Sequence, residues 1–389
     1  MSRKIYILIA LIVALIAGGY RVYAANRLKV DFDEPTYLAR ALEYASYLKE
    51  GNYSMLVMTN TTYEHPAFYK ILYGVVLLTQ PPPYTFESND LIFRESFTRS
   101  KAAKFGMADR YLATFWGTLA AAVLALANPL AGLFLALQTL SVKFTSEIYV
   151  EALPLLTSLL CVLTYLRWFE NVSNPSPQAK SGNAWLVASA VFFGIIAASK
   201  YVYCVAGLGI VIHFLVALLQ KQIPKRALAW LFGWGFLSIV CFFMLDPYLW
   251  VDTFNRLIGS LSFHFRLQDK VYLESLVSKK GGYPFWQPIL WLLSPASFYD
   301  LGPNAVFKIN IDALIFAFAL LGLPRFFQKQ RVFFYWFLVG MVFLLLWGAK
   351  WPQYILIVLV PFSLAAAEGV LTLWIIGRKL LLQDKQPTS

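Results

Sequence analysis

Stretches 5–24, 108–127, 149–168, 227–245, 308–324, 332–348 and 352–373 of this chain are each long and apolar enough to cross a bilayer. A membrane-spanning helix needs about 20 predominantly apolar residues. Hydrocarbon offers no partner to backbone N–H and C=O groups, so such segments must satisfy them internally, as helices do. The run 184–219 is too long for one crossing at about 1.5 Å per residue. It carries one charge near its middle, Lys200, which predicts two helices turning there. The chain is 59% hydrophobic and 14% charged, against roughly 45–50% and 25% for soluble domains. An all-α polytopic membrane protein follows, organised as a single domain over 1–389.

The net charge of +12 does not point to nucleic acid, because the basic residues come in short clusters between apolar runs. Lys221/Lys225/Arg226, Arg325/Lys329/Arg331 and Arg378/Lys379/Lys385 belong on one side with Arg3/Lys4, the cytoplasm. That arrangement requires one of two short apolar runs, 66–78 or 130–145, to cross and the other not. If 130–145 crosses, the loop 25–107 is wholly external. If 66–78 crosses, Arg94, Arg99, Lys101 and Lys104 become cytoplasmic, which the charge rule alone favours. Either choice gives about ten crossings with both ends cytoplasmic. Either also puts 31–34, Lys200, the loop 246–307 and Lys350 on the external face. The loops 25–107 and 246–307 far exceed the usual 2–8 residues between packed helices, and are expected to carry interfacial helices, one of them over 35–50.

The N-terminal apolar run fits a first anchor helix better than a cleaved signal peptide. No internal repeat or appended soluble domain is evident. Cys161, Cys204 and Cys241 lie inside apolar runs without CxxC spacing, which argues against a disulfide framework.

Three carboxylates, Asp31, Asp33 and Glu34, crowd into four positions just beyond the first apolar run. Closely spaced carboxylates raise one another's pKa or capture a cation, so one can serve as a general base near neutral pH. The competing explanation is capping of the helix 35–50, which Asp33 and Glu34 would do well. Asp31-x-Asp33 is also a pattern that could hold Mg or Mn through oxygen ligands.

His65-Pro66-Ala67-Phe68-Tyr69-Lys70 follows some thirty residues after Asp33-Glu34. Further on come Ala108-Asp109-Arg110, Thr145-Ser146-Glu147-Ile148-Tyr149-Val150-Glu151, Asp246-Pro247-Tyr248-Leu249-Trp250 and Lys350-Trp351-Pro352-Gln353-Tyr354. In this order, and on a common membrane face, these motifs resemble the C-type (GT-C) membrane glycosyltransferases, within them the protein O-mannosyltransferase and aminoarabinose-transferase-like branch. Two positions depart from the pattern: Ala67 replaces the second Pro of a His-Pro-Pro form, and Tyr69 replaces a Gly.

The resemblance implies transfer of a sugar from a polyprenyl-phosphate donor to an unnamed acceptor hydroxyl at the external face, with Asp33 as base and Glu34 orienting the acceptor or the base. It also implies no cofactor, a metal entering only through Asp31 and Asp33, and makes 66–78 interfacial and 130–145 the crossing. A lipid-phosphate leaving group calls for cations, and Arg110, Lys200 and Lys350 stand at external helix ends. Each could equally be a snorkelling side chain. His65, Tyr37, Glu147, Glu151 and His264 are the candidate substrate-binding residues. Glu147 and Glu151, four apart, are expected on one helical face, where either could instead pair with Arg110. Lys70 is expected at the surface. The rival functions are a secondary transporter or lipid-sugar flippase, and a non-catalytic lipid-sugar-binding partner.

Overall fold

The computed structural model describes residues 3–79, 106–173, 182–278, 283–295 and 311–383, which hold sixteen α-helices and no strand. They are α1 (Arg3–Arg27), α2 (Glu34–Lys49), α3 (Tyr53–Met58), α4 (Phe68–Leu77), α5 (Met107–Ala127), α6 (Pro129–Leu137), α7 (Thr139–Phe144) and α8 (Ala152–Ser173). The second half contributes α9 (Gly182–Ser199), α10 (Val205–Leu219), α11 (Ala227–Leu245), α12 (Thr253–Ser278), α13 (Gln287–Leu293), α14 (Asp312–Lys329), α15 (Arg331–Leu346) and α16 (Leu356–Gln383).

By length and apolarity six helical stretches can cross a membrane: Lys4–Arg27, Met107–Ala127, Ala152–Ser173, Tyr201–Leu219, Ala227–Leu245 and Pro352–Leu381. Asn183–Ser199 and Arg331–Leu346 are shorter apolar helices packed among them. The main helix pairings are α1 with α5, α8 with α9, α9 with α11, α10 with α15 and α14 with α16. The last pair packs backbone to backbone. A Cβ on Gly322 would stand 2.0 Å from the Ala365 carbonyl, and one on Gly369 1.9 Å from that of Phe318.

The turn expected at Lys200 is present. Lys200 is extended (φ −160°, ψ 119°) between α9 and a 3₁₀ turn at Tyr201–Cys204. The stretch 130–145 is not one crossing helix. Asn128 caps α6 by accepting from Ala131 N at 3.2 Å, and the chain breaks at Gln138 (ψ 127°) before α7 begins. Nine residues of helix span about 14 Å, under half the hydrocarbon core. Arg21, completely buried on α1, supports the break. Its guanidinium donates to the α6 carbonyls of Leu135 (3.3 Å) and Ala136 (3.2 Å) and to Ser141 Oγ and Thr145 Oγ1 on the far side (both 2.8 Å). Carbonyls at a helix C-terminus lack intrahelical partners, and a buried guanidinium has enough donors to serve several at once.

The stretch 66–78 is likewise too short to cross as α4. It lies against α2, so the two helices of the first long loop form one unit. Arg94, Arg99, Lys101 and Lys104 fall outside the described residues, and the start of the expected helix 308–324 does so too.

Candidate active site

Two sets of ion pairs anchor the loop after α1, one to α5 and the other to α7 and the turn before α8. Arg110, near the start of α5, grips Glu34 with Nε–Oε1 at 2.8 Å and Nη2–Oε2 at 2.5 Å. The same guanidinium donates to the carbonyls of Ala25 (2.7 Å), Leu28 (3.0 Å) and Lys29 (3.3 Å). Glu34 Oε1 also accepts from Ile148 N at 2.8 Å. Lys143 makes the second pairing: its ammonium bonds Asp31 and both oxygens of Glu147 (2.7 and 2.9 Å). Buried charges persist only when paired and hydrogen-bonded, and here each is.

Asp33 lies between these two anchors. It occupies the N-cap position of α2, yet its side chain makes no capping hydrogen bond, so helix capping does not account for it. Pro35 opens the helix instead, its missing N–H falling where no partner is needed. Half-buried Asp33 stands within electrostatic reach of Tyr37, Glu64, Tyr149, Glu151 and Tyr354, which come from four separate segments. Burial, with Asp33 adding to it, holds the Tyr37 hydroxyl well above its ordinary pKa, so it stays a proton donor. The Glu151 carboxyl is pushed up by burial, against the pull of Lys200.

A run of rings extends from Asp33's neighbours. Tyr149 meets Tyr37 (centroids 5.6 Å apart), Tyr37 meets His65 (6.1 Å), His65 meets His264 (5.7 Å) and His264 meets Tyr201 (6.4 Å). Thus α12 of the second long loop docks on the first. His264 Nε2 donates to Glu64 O at 2.8 Å, and Arg256 reaches Val57 O at 2.6 Å. Burial lowers both imidazole pKa values, with the charge of Lys200 adding to it, and that of His65 falls well below its usual value.

Several expectations need correction. Glu147 and Glu151 do not share a helical face, because 145–151 forms turns and α8 starts at Ala152. They face different lysines, Lys143 and Lys200, and neither pairs with Arg110. Arg110 is not positioned as a phosphate ligand, since Glu34 and three carbonyls take its donors. Lys350 bonds the carbonyls of Leu344 (2.8 Å) and Leu345 (3.0 Å) at the end of α15 and that of Trp347 just beyond it, in the manner of a C-terminal cap. Lys200 is the expected cation that stays near Asp33's neighbours, bonded to Glu151 with its ammonium 4.9 Å from the Tyr354 ring centre. Asp31 is committed to Lys143 and to the amide of Phe32.

Lys70 is the plainest reversal. It is completely buried, bonding Asn60 Oδ1, Thr62 O (2.7 Å) and His65 O (3.2 Å). Asn60 donates to His65 O as well (3.0 Å), and Asp246 accepts from Ala67 N (3.1 Å). The segment presenting His65 is therefore pinned from both long loops.

The family model described as dolichyl-phosphate-mannose-protein mannosyltransferase matches residues 29–258, more than half of the chain and all the segments just described up to α12. The chain belongs to this family. Its fold is similar to that of ArnT from Cupriavidus metallidurans bound to undecaprenyl phosphate, at TM-score 0.50 and 14% identity over 94% of this chain and 59% of that one. The apo state of the same protein matches at TM-score 0.50 and 16% identity, over 94% and 58%. The archaeal oligosaccharyltransferase AglB from Archaeoglobus fulgidus matches at TM-score 0.48 and 14% identity, over 97% and 51%. The chain thus spans less than two thirds of the length of these structures. No curated protein matches it in sequence.

Two buried cations that anchor the segments around this candidate site escape a reading of the sequence. Arg21 and Lys143 both lie in apolar runs, where a lone cation in a membrane helix is itself a signal of a buried partner.

Proposed function

We propose that the chain transfers a sugar from a polyprenyl-phosphate donor to an acceptor hydroxyl at the external membrane face, with Asp33 as general base. Family membership supports the reaction class, and the ArnT fold with undecaprenyl phosphate supports a lipid-phosphate donor. The observation that carries the reading is Asp33 itself: a half-buried carboxylate at a helix start that does not cap its helix, set between two anchored ion pairs and facing tyrosines. External placement rests on the basic clusters and on the two long loops that meet there.

Displacement at an anomeric carbon passes through an oxocarbenium-like state. The acceptor hydroxyl forms the new C–O bond while Asp33 takes its proton, and the bond to the prenyl phosphate breaks with its electron pair leaving on the phosphate oxygen. Lys200 is the cation placed to meet that charge, with the neutral imidazole of His65 beside it, while Tyr37 and Glu151 contact the sugar or acceptor. A base in hydrogen-bond reach of the attacking hydroxyl is worth about 10²–10⁴ in rate.

The test uses purified protein in lipid and a panel of radiolabelled polyprenyl-phosphate sugars. Release of one sugar by wild type, and none by Asp33→Asn, is expected. Equal release by both removes Asp33 from the chemistry, and release by neither, with candidate acceptors present, removes the reaction class.

A further inference from the structure

Lys143 belongs to no motif the sequence singles out, yet it holds the acidic loop in place. Only 4% of its surface is exposed, and its ammonium lies 4.9 Å from the centre of the Phe144 ring. It binds two carboxylates at once, Asp31 from the loop after α1 and Glu147 from the turn before α8. Asp31 is two positions from Asp33. Both carboxylates lie near Tyr149, whose side chain also reaches Asp31.

Among the described residues, most charges around Asp33 are matched by other partners. Glu34 is matched by Arg110, and Glu151 by Lys200. Glu64 faces Asp33 from the first loop, while Tyr37 and Tyr354 face it as neutral hydroxyls. Burial pushes the Glu147 carboxyl up to about 8 even against the pull of Lys143, so loss of that cation would leave Glu147 protonated and the charge of Asp31, two positions from Asp33, uncompensated, which disfavours the ionised form of Asp33.

We propose that Lys143 is a positioning residue for Asp33: by binding Asp31 and Glu147 together it fixes the turn that presents Asp33 and offsets the negative charge next to it. The significance for catalysis rests on Asp33 being the base, but the geometry does not. A buried cation with two carboxylate partners is strongly tied in place, since removing one member of such a group leaves uncompensated charge.

The experiment titrates Asp33 directly, without turnover. The full chain in lipid is treated across a pH series with a water-soluble carbodiimide and an amine, and labelling of the peptide containing Asp33 is read by mass spectrometry, with fragmentation separating Asp33 from Asp31 and Glu34. Labelling of a carboxyl falls as it ionises, so its midpoint reports the protonation of Asp33.

In Lys143→Met the midpoint is expected to rise by about one pH unit, and in Lys143→Arg to stay at the wild-type value. Asp31→Asn removes a like charge and keeps the cation, and should lower the midpoint even where Lys143→Met does not fold. An unmoved midpoint in Asp31→Asn, or the same rise in Lys143→Arg as in Lys143→Met, overturns the proposal. Sugar release measured in parallel separates the two readings. Midpoints that move as expected, beside an Asp33→Asn variant that still releases sugar, leave the positioning role standing and remove Asp33 as base.

Discussion

Glu34 and Arg110, 76 positions apart, form a two-point ion pair that closes the first long loop onto the start of α5. Because Arg110 also donates to the carbonyls of Ala25, Leu28 and Lys29, it holds both the end of α1 and the first turn of α2. Breaking a buried pair by removing one partner costs about 3–5 kcal/mol. Arg110→Met should therefore lower the melting temperature of the purified protein more than any substitution of an exposed arginine such as Arg167. Arg110→Lys should recover little of the loss, since a single ammonium cannot reproduce a planar fork with five donors. Full recovery by lysine would show that charge alone, and not the fork, holds the loop.

Lys70 and Lys49 give a controlled comparison within the same loop. Lys49 is exposed at the end of α2, whereas Lys70 is buried with three oxygen partners. Lys49→Met should stay within about 0.5 kcal/mol of wild type. Lys70→Met leaves three acceptors with fewer donors, each buried orphan costing about 1–3 kcal/mol. It should also slow sugar release through misplacement of His65, so melting temperature and rate fall together for Lys70 and not for Lys49.

The two lysines show where legibility in the sequence ends. The break at Lys200, the helix opening at Pro35 and the carboxylate cluster are local features, and turn chemistry with apolar run length is enough to find them. The fate of a charge is not local. Lys70, Lys143 and Arg21 each find their partners only after distant segments pack: Lys143 meets Asp31 112 positions away and Arg21 meets Thr145 124 positions away. Apolar run length also treats 130–145 as continuous, because a single Gln138 is no strong helix breaker. Tertiary hydrogen bonds from Arg21 to the buried carbonyls at the end of α6 are what stabilise the break.

Asp246 should make stability fall with rising pH over a defined window. Burial pushes its carboxyl up to about 6 from 3.8, against the opposing bond from Ala67 N and the pull of Lys70. Between those values the folded protein holds a proton that the unfolded chain has released. The stabilisation is complete below about pH 4 and lost as pH rises through 6, and the total is roughly 3 kcal/mol. Asp246→Asn keeps an acceptor for Ala67 N and cannot ionise. The difference in melting temperature between Asp246→Asn and wild type should widen in the mutant's favour from pH 4 to 6.5 and then level off. A constant difference across that range would show that Asp246 does not titrate there.

Gly74 tests whether the first long loop works as a unit. A Cβ at this position would lie 2.8 Å from the Ala41 carbonyl and 3.0 Å from Ala45 N, so α4 touches the backbone of α2 there. At ten residues α4 is too short to persist alone in water, and its stability comes from this contact. Gly74→Val must push the helices apart, at about 1–3 kcal/mol for overpacking. The displacement would carry away Tyr69 and Tyr73, and with Tyr73 its bond to Tyr149 O (2.8 Å) beside Asp33. Amide hydrogen exchange is expected to accelerate across 68–77 and 145–151 together in Gly74→Val, and sugar release to fall. Gly19→Val, where nothing lies within 4 Å of the added Cβ, should change neither. Faster exchange confined to 68–77 would mean that α4 can leave without disturbing the Asp33 turn, and the two halves of the site would then be independent.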